Sequence, residues 1–183
     1  MKVLGETYKI LKRNRTQIII SASVLVAGMV LAIVLNVFSS EGQFNKEPPV
    51  SLKLSVIDYI KNNVYASLLL LTGLFTLGLT TAFFMFINGV IISDSIYVAL
   101  KNNKDILHII MSVLPHGIFE IPAIIICGAL GFKSLVFCIR IMRGYKVSIL
   151  SEIIDIGVLY VIAVLLLCIA GMVEGKLLPF ITK

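Results

Sequence analysis

Apolar runs parted by short polar stretches organise this chain from end to end. Ile18 to Phe38 is a run of 21 uncharged residues, about the length that carries a helix across the ~30 Å hydrocarbon core of a bilayer. Residues 16–38 are therefore predicted as a first span. Residues 39–62 are polar and mixed in sign around Pro48 and Pro49, which predicts a loop whose Ser55 to Lys61 end forms an interfacial helical turn. Asn62 and Asn63 stand where they can cap the next helix.

Val64 to Ser93 carries no charge and is longer than one upright span requires. Asn88-Gly89 is the expected break, since glycine accepts left-handed backbone and asparagine can bond freed backbone groups. Residues 63–100 then hold a second span and a short third element with Asp94. Residues 106–132 are apolar but interrupted by His108, Pro115, His116, Glu120 and Pro122. Each proline removes a backbone donor and disfavours helix at the residue before it. Irregular backbone at membrane depth must be covered by protein or water, so this segment is predicted to be interior and broken or re-entrant. Residues 133–151 mix Lys133, Arg140, Arg143 and Lys146 with apolar positions, as a basic helix at a membrane surface does. Residues 152–175 form the last span, with Asp155 near its start and Glu174 at its end. The expected fold class is all-α: one polytopic helical membrane domain of four to five membrane segments, one of them broken or re-entrant around Pro115 to Pro122.

Composition agrees. Hydrophobic residues make up 58% of the chain and charged residues 14%, with a mean hydropathy of +1.03, far from the balance of soluble domains. The net charge of +6 sits mainly at the ends of apolar runs, where it orients helices, and does not suggest a nucleic-acid partner. Residues 1–15 hold Lys2, Lys9, Lys12, Arg13 and Arg15 against Glu6, which places the N-terminus in the cytoplasm and residues 39–62 outside. No A-x-A-like cleavage site follows, so the first span is read as uncleaved. Counting basic residues on each side ties the four-span and five-span models and leans towards the re-entrant one. Cys127, Cys138 and Cys168 show neither a disulfide framework nor zinc-binding spacing.

The most specific run is Leu114-Pro115-His116-Gly117-Ile118-Phe119-Glu120-Ile121-Pro122-Ala123. Pro115 suits a first helical position, and His116 and Glu120 then fall four residues apart on one face. A carboxylate in apolar surroundings is costly to ionise, so Glu120 is expected to be neutral, paired with imidazole, or bonded to backbone freed near Pro122. A transport or proton-linked role is the functional alternative to that structural pairing. A zinc site needs three or four ligands, whereas His108 is the other histidine and no HExxH pattern occurs. No G-x-S-x-G and no Walker-type loop is present, so no cofactor or metal is expected and ATP-driven work needs a separate subunit. Thr72, Thr76 and Thr80, like Gly28 with Ala32 and Gly171 with Gly175, are expected to pack helices. Asp155 and Glu174 read as solvated at the interface. Arg140, Arg143 and Lys146 read as a headgroup anchor, or as a dock for an acidic partner.

This run resembles the stage II sporulation protein M family, whose members share a PHG-x-x-E motif followed by an apolar, Gly- and Ala-rich helix, here AIIICGALGF from Ala123 to Phe132. Asn62-Asn63, Gly73, Gly78, Asn88-Gly89 and Glu174 extend the resemblance over most of residues 60–175. It implies a non-enzymatic scaffold or permease-like subunit in a bacterial or archaeal cell membrane. The partners it implies are the lipid bilayer and other membrane or cell-wall-associated proteins, an ABC ATPase subunit among them, with self-association also compatible. The rival reading is an intramembrane enzyme such as a metalloprotease using His116 and Glu120.

Overall fold

A computed structural model of the chain describes residues 2–38, 55–101 and 116–181, and every regular element among them is helical. In order these are α1 (Lys2–Arg13), α2 (Arg15–Phe38), α3 (Val56–Leu71) with a 3₁₀ turn (Thr72–Leu74), α4 (Leu79–Lys101), a π turn (His116–Glu120), α5 (Ile121–Gly131), α6 (Lys133–Met142) and α7 (Ile149–Ile181). Among the described residues, four stretches are long and apolar enough to cross a membrane: Arg15–Phe38, Leu79–Val98, Gly117–Met142 and Ile149–Val173. The protein is an all-α polytopic membrane protein. The 16 residues of α3 rise only about 24 Å, and the 3₁₀ turn adds about 6 Å more.

The third of the four long stretches is the centre of the bundle, with 56% of its most apolar window buried against 22–28% for the others. Its sequence explains why. Small residues let neighbouring backbones approach where hydrocarbon offers no hydrophobic drive between helices, and α5 supplies Ala123, Cys127, Gly128, Ala129 and Gly131, all buried. Leu25, Leu70, Met85, Ala163 and Leu167 close round it from four helices, and the Ser21 hydroxyl donates to the Ile125 carbonyl at 3.0 Å. Outward positions such as Val30, Ile33, Val161 and Leu165 remain exposed, as residues facing lipid must.

Contacts at the two ends of the bundle trace the path. At one end Arg13 meets Asp155, Lys133 meets Glu152, and Gly73 lies against Gly131. At the other, Asn36 donates to Asp94 at 3.2 Å, Tyr97 donates to the Asn36 carbonyl, and Gly171 rests on Ile60. The chain therefore runs away from α1 in α2, back in α3, away in α4, back through α5 and α6, and away in α7. Charge counting leaned towards a segment 106–132 that dips in and returns. Instead, residues 116–142 descend all the way to the α1 end.

The reversal within residues 63–100 does not fall at Asn88-Gly89. Helix α4 runs straight through both, because the Asn88 amide bonds back to the Phe84 carbonyl at 2.8 Å and Gly89 serves close packing. A Cβ at Gly89 would come within 2.1 Å of the Leu25 carbonyl oxygen, and one at Gly28 within 2.1 Å of that of Phe86. The turn lies ten residues earlier, where Leu77 and Gly78 take φ of 53° and 84°. Glycine carries that left-handed backbone without a Cβ penalty. Gly78 donates to the Gly73 carbonyl at 2.8 Å, and the Thr81 hydroxyl bonds the Leu70 carbonyl at 2.7 Å. Thr80 receives the Thr72 hydroxyl and meets that of Thr76, both at 2.9 Å. The threonines thus fasten the turn instead of lining one helix face.

Asn62 and Asn63 are not caps either. Helix α3 starts at Val56, where Ser55 and Asp58 form a reciprocal capping box, a device that satisfies two orphan donors at once. Both asparagines lie inside that helix, and Asn63 is buried. The expected irregularity before Pro122 takes the form of the π turn His116–Glu120, which runs directly into α5 with proline in its first turn. Proline there lacks only a donor that a helix start leaves unused. Pro115 lies outside the described residues.

Candidate functional site

Two polar places in the bundle gather the candidate residues. The first is a charged cluster at the α1 end. Asn14, between α1 and α2, uses its amide to bond Ile10 O and Asp155 Oδ2, both at 2.8 Å. Arg13 grips the same carboxylate with Nε at 2.7 Å and a second guanidinium nitrogen on Oδ1. That hydrogen bond is the main reason the Arg13 pKa is raised above its ordinary value. Lys133, at the start of α6, reaches Glu152 at 2.5 Å and Asp155 at 3.6 Å. Arg140 completes the set, 3.5 Å from Glu152 and 3.4 Å from the Arg13 carbonyl.

Asp155 is fully buried and Lys133 is 3% exposed, so neither is the solvated surface charge the sequence suggested. Removing charge from water costs several kcal/mol per ion unless partners satisfy it, and here each has at least two. Opposite charges at the ends of separate apolar runs were the available signal, because ionisable groups near membrane spans tend to pair. Spacing along the chain did not show it: Arg13 and Asp155 stand 142 residues apart. The cluster joins α1 and the α1–α2 junction to α6 and α7 with three cations and two carboxylates.

Of the three basic residues read as surface contacts, Arg140 belongs to this cluster, while Arg143 and Lys146 are exposed. Gly144, with φ of 77°, ends α6: it donates to Ile141 O at 2.9 Å, and Tyr145 donates to Arg140 O at 3.0 Å. This is the Schellman pattern that closes a helix with glycine.

The second place is a recess of about 140 Å³ between α4 and the start of α5, lined by Glu120, Asn88 and Ser95 among isoleucines. Glu120 is half-buried there. Asn88 and Ser95 each spend a donor on their own helix, at Phe84 O and Ile91 O. The π turn that presents Glu120 is a form enriched at functional sites. Gly117 shares that turn, with open space around it. The His116 side chain lies outside the described part of the chain, and so does its expected pairing with Glu120. Among the described residues no three His, Cys, Asp or Glu side chains gather as metal ligands.

A helical bundle with a charge cluster at one end and a recess lined by Glu120 defines an all-α polytopic membrane protein. The sequence matches the family model of stage II sporulation protein M over residues 18–179, and the chain belongs to that family. Two uncharacterized proteins of Methanocaldococcus jannaschii are similar to it. One is 32% identical over 122 residues, which are 66% of this chain and 68% of that protein. The other is 36% identical over 113 residues, 60% of this chain and 50% of the relative, so the chain spans half of that protein's length. No solved structure matches.

Proposed function

We propose that the chain is a non-enzymatic membrane subunit, a scaffold or permease-like component that acts through protein partners in the cell membrane. One observation carries the reading: Arg13, Lys133, Arg140, Glu152 and Asp155 are spent on one another across three helices. Charges committed in that way hold helices in register and present neither a nucleophile nor a free base. The family relationship supports the same reading. The cytoplasmic side is the α1 end, with its basic residues, and partners are either an ABC ATPase docking from that side or cell-wall-associated proteins on the other. Glu120 and its recess are the intramembrane polar centre on which coupling to those partners depends.

The test is turnover by the pure chain in liposomes. Peptide and ATP hydrolysis should both stay at the level of empty vesicles, and Glu120→Gln should leave folded yield unchanged. Hydrolysis that disappears in Glu120→Gln would replace this reading with an enzymatic one.

A further inference from the structure

Beside the charged cluster, α2, α6 and the segment leading into α7 enclose an open groove of about 720 Å³. Its two halves differ in chemistry. Arg13, Arg140, Arg143 and Lys146 line one part, against a single acid, Glu152. That acid is already taken by Lys133 and Arg140, and Arg143 and Lys146 form no ion pair among the described residues. The other part is floored by Ile20, Leu135, Val136 and Ile139, which belong to the membrane-crossing stretches Arg15–Phe38 and Gly117–Met142. The basic residues Arg143 and Lys146 follow immediately after the second of these.

We propose that this groove is a binding site for an anionic phospholipid, its phosphate held by Arg143 and Lys146 and one acyl chain laid along Ile20, Leu135 and Ile139. The combination selects the ligand class. A soluble anion satisfies the cations but leaves the apolar floor bare, and a zwitterionic lipid covers the floor but brings its own cation to the basic half. An acidic protein surface meets the charges, yet leaves bare an apolar floor whose residues belong to the membrane-crossing stretches. Only an anionic amphiphile already resident in the leaflet matches both halves. Basic residues beside anionic headgroups each contribute several-fold in affinity. Such a lipid would also brace the α6–α7 connection over the charged cluster beneath it.

The test titrates the full chain, purified in neutral detergent, with phosphatidylglycerol, phosphatidylcholine or inorganic phosphate, reading thermal stability and lipid-bound mass. Phosphatidylglycerol should stabilise saturably and at least about tenfold more tightly than phosphatidylcholine, with phosphate without effect. Arg143→Gln with Lys146→Gln should reduce that affinity about tenfold. Both side chains are exposed, so the variant's unliganded melting point should match the parent's. A control at the opposite end, Lys61→Gln with Lys101→Gln, should retain full selectivity. Unchanged phosphatidylglycerol affinity in the groove variant overturns the proposal. So does an equal effect of phosphate alone, or occupation of the groove by an acidic cytosolic protein regardless of lipid.

Discussion

Lys133 and Glu152 meet at 2.5 Å inside the helix bundle, and Asp155, one turn further along α7, stands 3.6 Å from the same ammonium group. The lysine is 3% exposed and Asp155 not at all, so the pair stabilises the fold only while it is complete. Lys133→Met leaves Glu152 with Arg140 alone and should cost about 3–5 kcal/mol, the usual penalty for an orphaned buried charge. Adding Glu152→Met should recover part of the loss, because two apolar side chains no longer need each other. Thermal unfolding of the four members of this cycle in detergent gives the coupling. Additive losses would mean that the contact carries no energy of its own.

The crossing of α2 and α4 makes an independent demand. Alanine normally outranks glycine in a helix by about 1 kcal/mol, but at Gly28 and Gly89 the new Cβ would sit 2.1 Å from a backbone oxygen of the other helix. Both Gly→Ala variants should therefore lose about 1–3 kcal/mol through overpacking. Gly157 has nothing within 4 Å of its Cβ position, and Gly157→Ala should be neutral or gain slightly. Melting temperatures that rank the three alike would deny the close crossing.

The helical class, the first span and the interior character of the motif segment were legible because each rests on local pattern: an uncharged run of span length, or prolines and a carboxylate in apolar sequence. Asn88-Gly89 misled for a physical reason. A glycine in a membrane helix serves a turn or a close approach equally well, and only the position of Leu25 across the bundle tells which. Gly78 serves the turn instead, held by hydroxyls from Thr72, Thr76 and Thr80 whose joint role depends on a fold-back that no helical periodicity announces. Asp155 reads as solvated in the sequence because its partners come from two distant segments, residues 13–14 and Lys133. The recess beside Glu120 was visible only as a motif, since Asn88 and Ser95 join it from another helix.

The path of the helices puts the α1 end and the facing ends of α2 and α3, at Asn36 and Ile60, on opposite sides. With the native cysteines replaced, Lys46→Cys should react with an impermeant maleimide in whole cells. Tyr8→Cys and Tyr145→Cys should react only after lysis, and with equal ease, since both side chains are exposed. Labelling of Tyr145→Cys in intact cells would put α6 on the wrong side and break the path between α5 and α7.

If this bundle works as a subunit among partners, mass measurement of the tagged chain extracted from its own host's membranes in mild detergent will find them. The expected spectrum shows the chain with a second, different protein in fixed stoichiometry, with any ATP or peptide hydrolysis confined to fractions that hold the second protein. The chain running alone, or only with copies of itself, while the extract keeps hydrolytic activity in that same peak, would contradict it.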